Sequence, residues 1–193
     1  MVARGNWNCL NGIWQAYSLR GWYATIVHNI VGVDLDEGGL TVYPYSGKEM
    51  QLLGLHFGEK TFDIHLCGSG AFVKSIEING SAIFGTNKVP FDMLMDKNKV
   101  VVYRGETAES FCTIKKTYGI KISEYSYTNE MVEATLNGCA NGECVLYSEK
   151  PIEVMLNEQP AEMQLCKDGN YKIQIDFSNA QSVKLACKKG ENV

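Results

Sequence analysis

Between residues 23 and 31 the apolar positions are Tyr23, Ile26, Val27, Ile30 and Val31. This is the i, i+3, i+4, i+7, i+8 spacing of a helix that buries one face, with Trp22 at its start. Gly32 follows, where a left-handed C-cap would stop the helix. In the preceding stretch NCLNGIWQAYSLR, Leu10, Ile13, Trp14 and Tyr17 keep a helical spacing, but Asn11-Gly12 and Ser18 interrupt it. Helix and ordered loop both fit there.

Past Gly32 the period changes to two. Gly38-Gly39 predicts a turn, and Leu40 and Val42 begin an alternating segment. In KTFDIHLCG, Phe62, Ile64 and Leu66 oppose Asp63, His65 and Cys67. VKSIEINGSAIF predicts a hairpin closed by Asn79-Gly80 in a type I′ turn. NKVVVYRG, ATLNG, ECVLYSE, PIEVMLN, NYKIQIDF and SVKLAC follow as further strands, with Tyr171, Ile173, Ile175 and Phe177 on one face. Ser75–Ile83 has an echo in Pro151–Met163, each placing an Asn-led turn after an Ile-Glu strand. The expected fold is mainly β: an antiparallel β-sandwich over residues 34–193, preceded by a short helical segment within residues 1–33.

Composition narrows the function classes. The 193 residues carry 45% hydrophobic and 21% charged positions and a net charge of -4, ordinary for a globular chain able to bury a core. Lys115-Lys116 and Lys188-Lys189 are the densest basic pairs, too sparse for a phosphate-binding stripe, so no nucleic-acid or anionic-membrane partner is expected. No stretch approaches a membrane span. Cysteines stand at 9, 67, 112, 139, 144, 166 and 187 with no CxxC pair, which predicts free thiols rather than a metal site, a Cys139–Cys144 disulfide remaining open.

The junction GWYATIVHNIVGVDLDEGGLTVYPYSG resembles the point where the (α/α)6 barrel of six-hairpin glycosidases and glycoside phosphorylases ends and a C-terminal β-sandwich begins. The matching residues are Gly21-Trp22-Tyr23, the stop from Ile30 to Val33, the acidic-glycine turn from Asp34 to Gly39, and the strand from Leu40 to Pro44. Downstream, FDIHLCGSGAFVKSIEING is similar to the strand pattern FDIxxxGxGxxVxSIxVNG of those sandwiches. YSGKEM replaces the proline-rich run of the phosphorylases, which favours hydrolysis over phosphorolysis. The resemblance implies that residues 1–33 are the last of a barrel and that the two carboxylates of glycoside hydrolysis lie upstream of this chain. No catalytic residue, cofactor or metal is therefore expected here. The implied partners are the catalytic barrel itself and, through the parent enzyme, an oligosaccharide or polysaccharide.

Trp14, Arg20 and Trp22, with Trp7 nearby, are the candidate substrate-binding residues, since the loop before the last barrel helix would approach the cleft. Indole planes and a guanidinium suit the apolar faces and hydroxyls of sugars, while packing within a helical layer is the commoner use of such aromatics. Tyr43, Tyr45, Tyr125 and Tyr127 could form a stacking strip but are expected to be packing residues. Asp34, Asp36 and Glu37 are expected to be solvated turn charges. His28, His56 and His65 share no ligand spacing, and Ser18, Ser69 and Ser110 lack a nucleophile-elbow setting. Gly68-Ser69-Gly70 predicts a strand-ending turn. The competing functions are a carbohydrate-binding β-sandwich module acting independently, which needs an exposed aromatic platform or a calcium site, and an adhesion-type sandwich without a ligand. A bracing fragment instead predicts a helix that touches the sandwich and leaves an apolar face exposed.

Overall fold

The chain leaves its helix at Gly32, whose φ of 75° lies in the left-handed region that caps a helix without steric cost to glycine. The computed structural model describes residues 25–36, 38–43 and 48–190. Thr25–Val31 form a single short helix, wound in the wide i→i+5 pattern. The expected start at Trp22 lies outside the described residues. No helix among the described residues is long and apolar enough to cross a membrane.

Among the described residues after Gly32, apart from irregular connections, the chain is strand, turn or one 3₁₀ turn at Phe91–Met93. Strands β1 (Val33–Asp36) and β2 (Gly39–Val42) make a hairpin. Strands β3 (Met50–Phe57), β4 (Lys60–Cys67), β5 (Phe72–Ile78), β6 (Ser81–Ile83) and β7 (Lys97–Gly105) form a sheet in the order β3-β4-β7-β5-β6. Helix, hairpin and this sheet share one core, from Val27, Val31 and Val33 through Leu40 and Phe62 to Val102. The apolar packing therefore runs unbroken across residue 33.

The second half has its own core. Strands β8 (Thr113–Tyr118), β9 (Lys121–Tyr127), β10 (Met131–Asn137), β11 (Asn141–Tyr147), β12 (Ile152–Leu156), β13 (Gln159–Pro160), β14 (Gln164–Leu165), β15 (Asn170–Asp176) and β16 (Ser182–Lys189) build two sheets. Their orders are β13-β12-β16-β10-β9 and β14-β15-β11-β8, and every pairing is antiparallel. Ile114, Ile122, Leu136, Leu146 and Ile173 fill the space enclosed by the strands, each fully or almost fully buried.

Among the described residues the fold is thus mainly β, with several antiparallel sheets and one short helix. It differs from one antiparallel sandwich in two ways. It has two cores, and β4 pairs with β7 in parallel over seven residues, because the β5–β6 hairpin intervenes and returns the chain in the same direction. The expected hairpin turn is present, with φ of 51° at Asn79 and 88° at Gly80. Its sequence echo is a turn of the same hand at Asn157 and Glu158, joining β12 to β13.

Residues 84–90 splice the halves. Val42 N–H donates to the Asn87 carbonyl and Val89 N–H to that of Leu40, each at 2.8 Å. On the opposite side Asn87 N–H donates to Ile114 at 2.8 Å and Ile114 N–H to Gly85 at 2.9 Å. This segment extends the β1–β2 hairpin toward β8, so main-chain bonding is continuous from one core to the other. Thr86, Asn87 and Lys88 are all buried in consequence.

Candidate functional site

Trp14, Arg20 and Trp22 lie outside the described residues, as do Trp7, Glu37 and Tyr45. Among the described residues, polar chemistry concentrates where the β1–β2 turn meets residues 84–94. Asp36 ends β1 and turns its carboxylate inward: Oδ1 accepts from Gly38 N–H at 2.7 Å and from Lys88 Nζ at 2.8 Å, and Oδ2 accepts from Lys88 at 3.0 Å. The Lys88 side chain has no exposed surface, whereas Asp36 is 44% exposed. A buried ammonium is tolerated only when its charge is paired and its protons are accepted. Thr86 Oγ1 donates to the Lys88 carbonyl at 2.8 Å, which fixes the same turn of chain. A Cβ on Gly38 would sit 2.6 Å from the Ile120 carbonyl and 2.7 Å from Lys88 Nζ, so only glycine lets the turn approach the second half this closely.

Two hollows open on either side of Asp36 and Phe91. The smaller, about 320 Å³, is walled by Leu35, Phe57, Phe62, Phe91 and Leu94, with Glu59, Lys60 and Asp96 among its polar residues. The larger, about 820 Å³, lies between the halves and sets Phe91 and Ile120 beside polar side chains and turn backbone: Asp92, Lys121, Ser123, Asn137, Cys139 and Gln181 with Gly38 and Gly119. Here Asp92 accepts from the Glu124 N–H at 2.9 Å, and Lys121 Nζ stands 4.3 Å from the centre of the Phe91 ring. A third hollow, about 510 Å³, follows the outer face of β9, β10 and β16 and carries Glu124, Glu133, Lys184 and Lys188. Glu124 accepts from Thr135 Oγ1 at 2.7 Å there.

The remaining candidates are dispersed. Asp34 faces His28 at 3.6 Å, so of the three expected turn charges Asp36 is structural and Asp34 pairs along the surface. Tyr43 lies under Lys116, whose Nζ is 5.1 Å from the ring centre, and burial pushes its phenol up to about 12. Tyr125 donates its hydroxyl to the Phe84 carbonyl, and burial raises its pKa well above the ordinary value. Tyr127 lies between Phe84 and Phe111, 6.1 and 6.2 Å from their centres. These tyrosines pack the seam between the halves, as expected, instead of forming a strip. Gly68-Ser69-Gly70 is the expected turn between β4 and β5, and Arg104 ties it down by donating to the Gly68 carbonyl at 2.7 Å and to Lys48.

Cys139 and Cys144 are both free thiols, the first exposed and the second buried. Burial raises the Cys144 thiol well above its usual range. Cys187 is raised by its hydrogen bond with Cys112 and by burial. Held protonated, both are poor nucleophiles. Among the described residues no group of three or more His, Cys, Asp or Glu side chains is arranged to hold a metal ion.

Sequence patterning did not reveal the Lys88–Asp36 pair or the phenylalanine-walled hollow. TNKVPF alternates poorly, and nothing in it marks a lysine as buried. The turn HFGEKTF was a findable signal, since it sets Phe57 and Phe62 about a tight Gly58 turn (φ 59°).

No protein-family model, no curated protein and no solved structure matches this chain.

Proposed function

We propose that this chain is the C-terminal part of a carbohydrate-active enzyme of the six-hairpin, glycoside hydrolase type, a β unit that braces a helical catalytic barrel and is not catalytic by itself. One observation carries the reading. Val27 and Val31 are buried at 3% and 5% exposure in the first core, while Ile26 and Ile30 on the adjoining side of the same helix stand 42% and 45% exposed. A helix that is packed on one side and still presents two large apolar side chains beside the exposed Thr25, His28 and Asn29 suits an element between two layers, and exposed apolar surface favours association. The short Gly32 stop and the β1–β2 turn also follow the order that the six-hairpin resemblance implies.

An independent sugar-binding module would offer an aromatic platform on a sheet face. Tyr43, Tyr125 and Tyr127 are instead committed to the seam between the halves. The polysaccharide would be handled by the barrel, where the two carboxylates would reside.

The test is a hydrolysis screen of the isolated chain on aryl glycosides and common oligosaccharides. No turnover is expected. Turnover that a carboxylate substitution within these residues abolished would overturn the reading and make the chain an enzyme in its own right.

A further inference from the structure

The hollow walled by Phe57, Phe62 and Phe91 sets an excess of negative charge beside aromatic rings. Its volume, about 320 Å³, stands at the small end of the roughly 300–1,000 Å³ typical of ligand sites. Four charged side chains line it: Asp36, Glu59, Lys60 and Asp96. Asp36 is neutralised by Lys88, whose Nζ donates to its two oxygens at 2.8 and 3.0 Å. Asp96 is anchored through its backbone carbonyl, which accepts from Thr61 N–H at 2.8 Å and from the Thr61 hydroxyl at 3.2 Å. Its carboxylate and that of Glu59 have no protein partner among the described residues. Lys60 makes one long hydrogen bond, 3.4 Å to the Met95 carbonyl. The lining is therefore left with two free carboxylates against one ammonium.

The charge selects a cation, and the walls select its kind. Glu59 and Asp96 are exposed, so each attracts a cation modestly, through solvent, without a desolvation cost to overcome. An aromatic face adds an attraction that a neutral or anionic guest does not receive. Phe91 already serves in this way, since Lys121 Nζ stands 4.3 Å from its centre where both residues border the larger hollow. Phe57, 40% exposed, is the accessible ring of the smaller one. A metal ion needs several oxygen ligands converging on one point. Among the described residues no group of three or more His, Cys, Asp or Glu side chains is so arranged. An organic cation needs no such shell. Its alkyl groups lie against Phe57, Leu35 and Leu94, and its charge is balanced by Glu59 and Asp96. We infer that this hollow binds a small quaternary or alkylated ammonium ion. Lys60 is the one lining group that opposes the charge, and it holds the affinity down. The inference stands on the hollow alone and is independent of the bracing role.

The experiment is a titration of the ¹⁵N-labelled full chain with tetramethylammonium chloride, followed by amide chemical shifts, at an ionic strength held constant with sodium chloride. Sodium chloride alone sets the baseline, and tert-butanol, of similar size and uncharged, is the neutral probe. Tetramethylammonium should produce saturable shifts at Gly58, Glu59, Phe91 and Leu94, with an affinity in the millimolar range. Phe57→Ala, at an exposed turn, should weaken binding roughly two- to fivefold. Glu59→Gln with Asp96→Asn should weaken it by a similar factor while the spectrum stays that of the folded protein. Lys60→Met, which removes the opposing charge, should tighten it about twofold or more. Absence of a saturable tetramethylammonium shift up to tens of millimolar would overturn the inference. So would equal shifts from tert-butanol, or an affinity that either the Phe57 or the carboxylate substitutions leave unchanged. Failure here leaves the bracing role standing, since that role is read from association and turnover and not from these amides.

Discussion

The two cores are held by different means. In the first, built around β3–β7, the buried polar residues include an ammonium, a guanidinium and two amides: Lys88, Arg104, Asn87 and Asn98. Three of them have partners far along the chain: Lys88 reaches Asp36, Arg104 reaches Lys48, and Asn98 Nδ2 donates to the Thr61 carbonyl at 3.2 Å besides the nearby Met95 carbonyl at 2.7 Å. In the second core the buried polar residues carry only hydroxyls: Ser110, Thr113, Thr117 and Ser148. Ser148 donates to the Phe111 carbonyl at 2.6 Å and Thr117 to that of Ile120 at 2.9 Å. Long antiparallel ladders and an apolar interior do the rest of the work there. The lesson is that the same alternating pattern is sufficient for one half and needs side-chain staples in the other, where a parallel pair and a short hairpin leave ends that main-chain ladders do not reach.

The largest expected effect tests those staples. Asp36→Ala orphans a fully buried ammonium, and urea unfolding should show a loss of about 3 kcal/mol, the low end for breaking a buried pair. Lys88→Met leaves Asp36 at the surface, where water replaces the lost partner, and should cost only about 1 kcal/mol. Asp36→Leu combined with Lys88→Met should recover much of the single Asp36 loss. Equal losses for the two single substitutions would mean that burial of Lys88 does not decide the energetics.

A smaller effect distinguishes the second core by pH. Tyr125, Cys144 and Cys187 are all raised, by burial for Tyr125 and Cys144, and for Cys187 by the Cys112 hydrogen bond followed by burial. The folded state keeps their protons while the unfolded chain releases them at the ordinary thiol and phenol values of 9.0 and 10.0. Stability supplied by the protonated groups is therefore intact below about pH 9 and falls as pH rises above it, by at most about 1.4 kcal/mol per pH unit for each group. Cys144→Val with Cys187→Val should lose less stability between pH 8 and pH 10 than the parent chain does, measured by urea midpoints. An identical loss in both would contradict the assignment of alkaline sensitivity to this core.

How much of this was legible in the sequence follows the same division. Strict alternation in KTFDIHLCG and NYKIQIDF predicted the inward faces of β4 and β15, because a half-buried strand must separate its apolar and polar side chains. Asn79-Gly80 announced its turn through the positive φ that type I′ requires. The helix stop at Gly32 was equally readable. The split into two cores was not, since alternation says which face is buried and nothing about which sheet covers it. Nor was the parallel β4–β7 pair, whose register depends on a distant crossover. The site was least legible: Lys88 is buried by the splice at residues 84–90, a long-range arrangement that no local spacing encodes, and the proposed substrate residues Trp14, Arg20 and Trp22 fall outside the described part of the molecule.

The bracing role rests on the two sides of the helix Thr25–Val31, and sedimentation velocity on paired variants tests it most directly. The unmodified chain should self-associate as its concentration rises, and Ile26→Glu with Ile30→Glu should return it to a monomer with its melting temperature nearly unchanged. Val27→Ala with Val31→Ala, which cuts into the first core, should instead lower the melting temperature and leave association in place. A parent chain that is monomeric throughout, with Ile26→Glu and Ile30→Glu unfolding it, would contradict the account, because the outward side of the helix would then belong to this molecule's own core and have no second layer to meet.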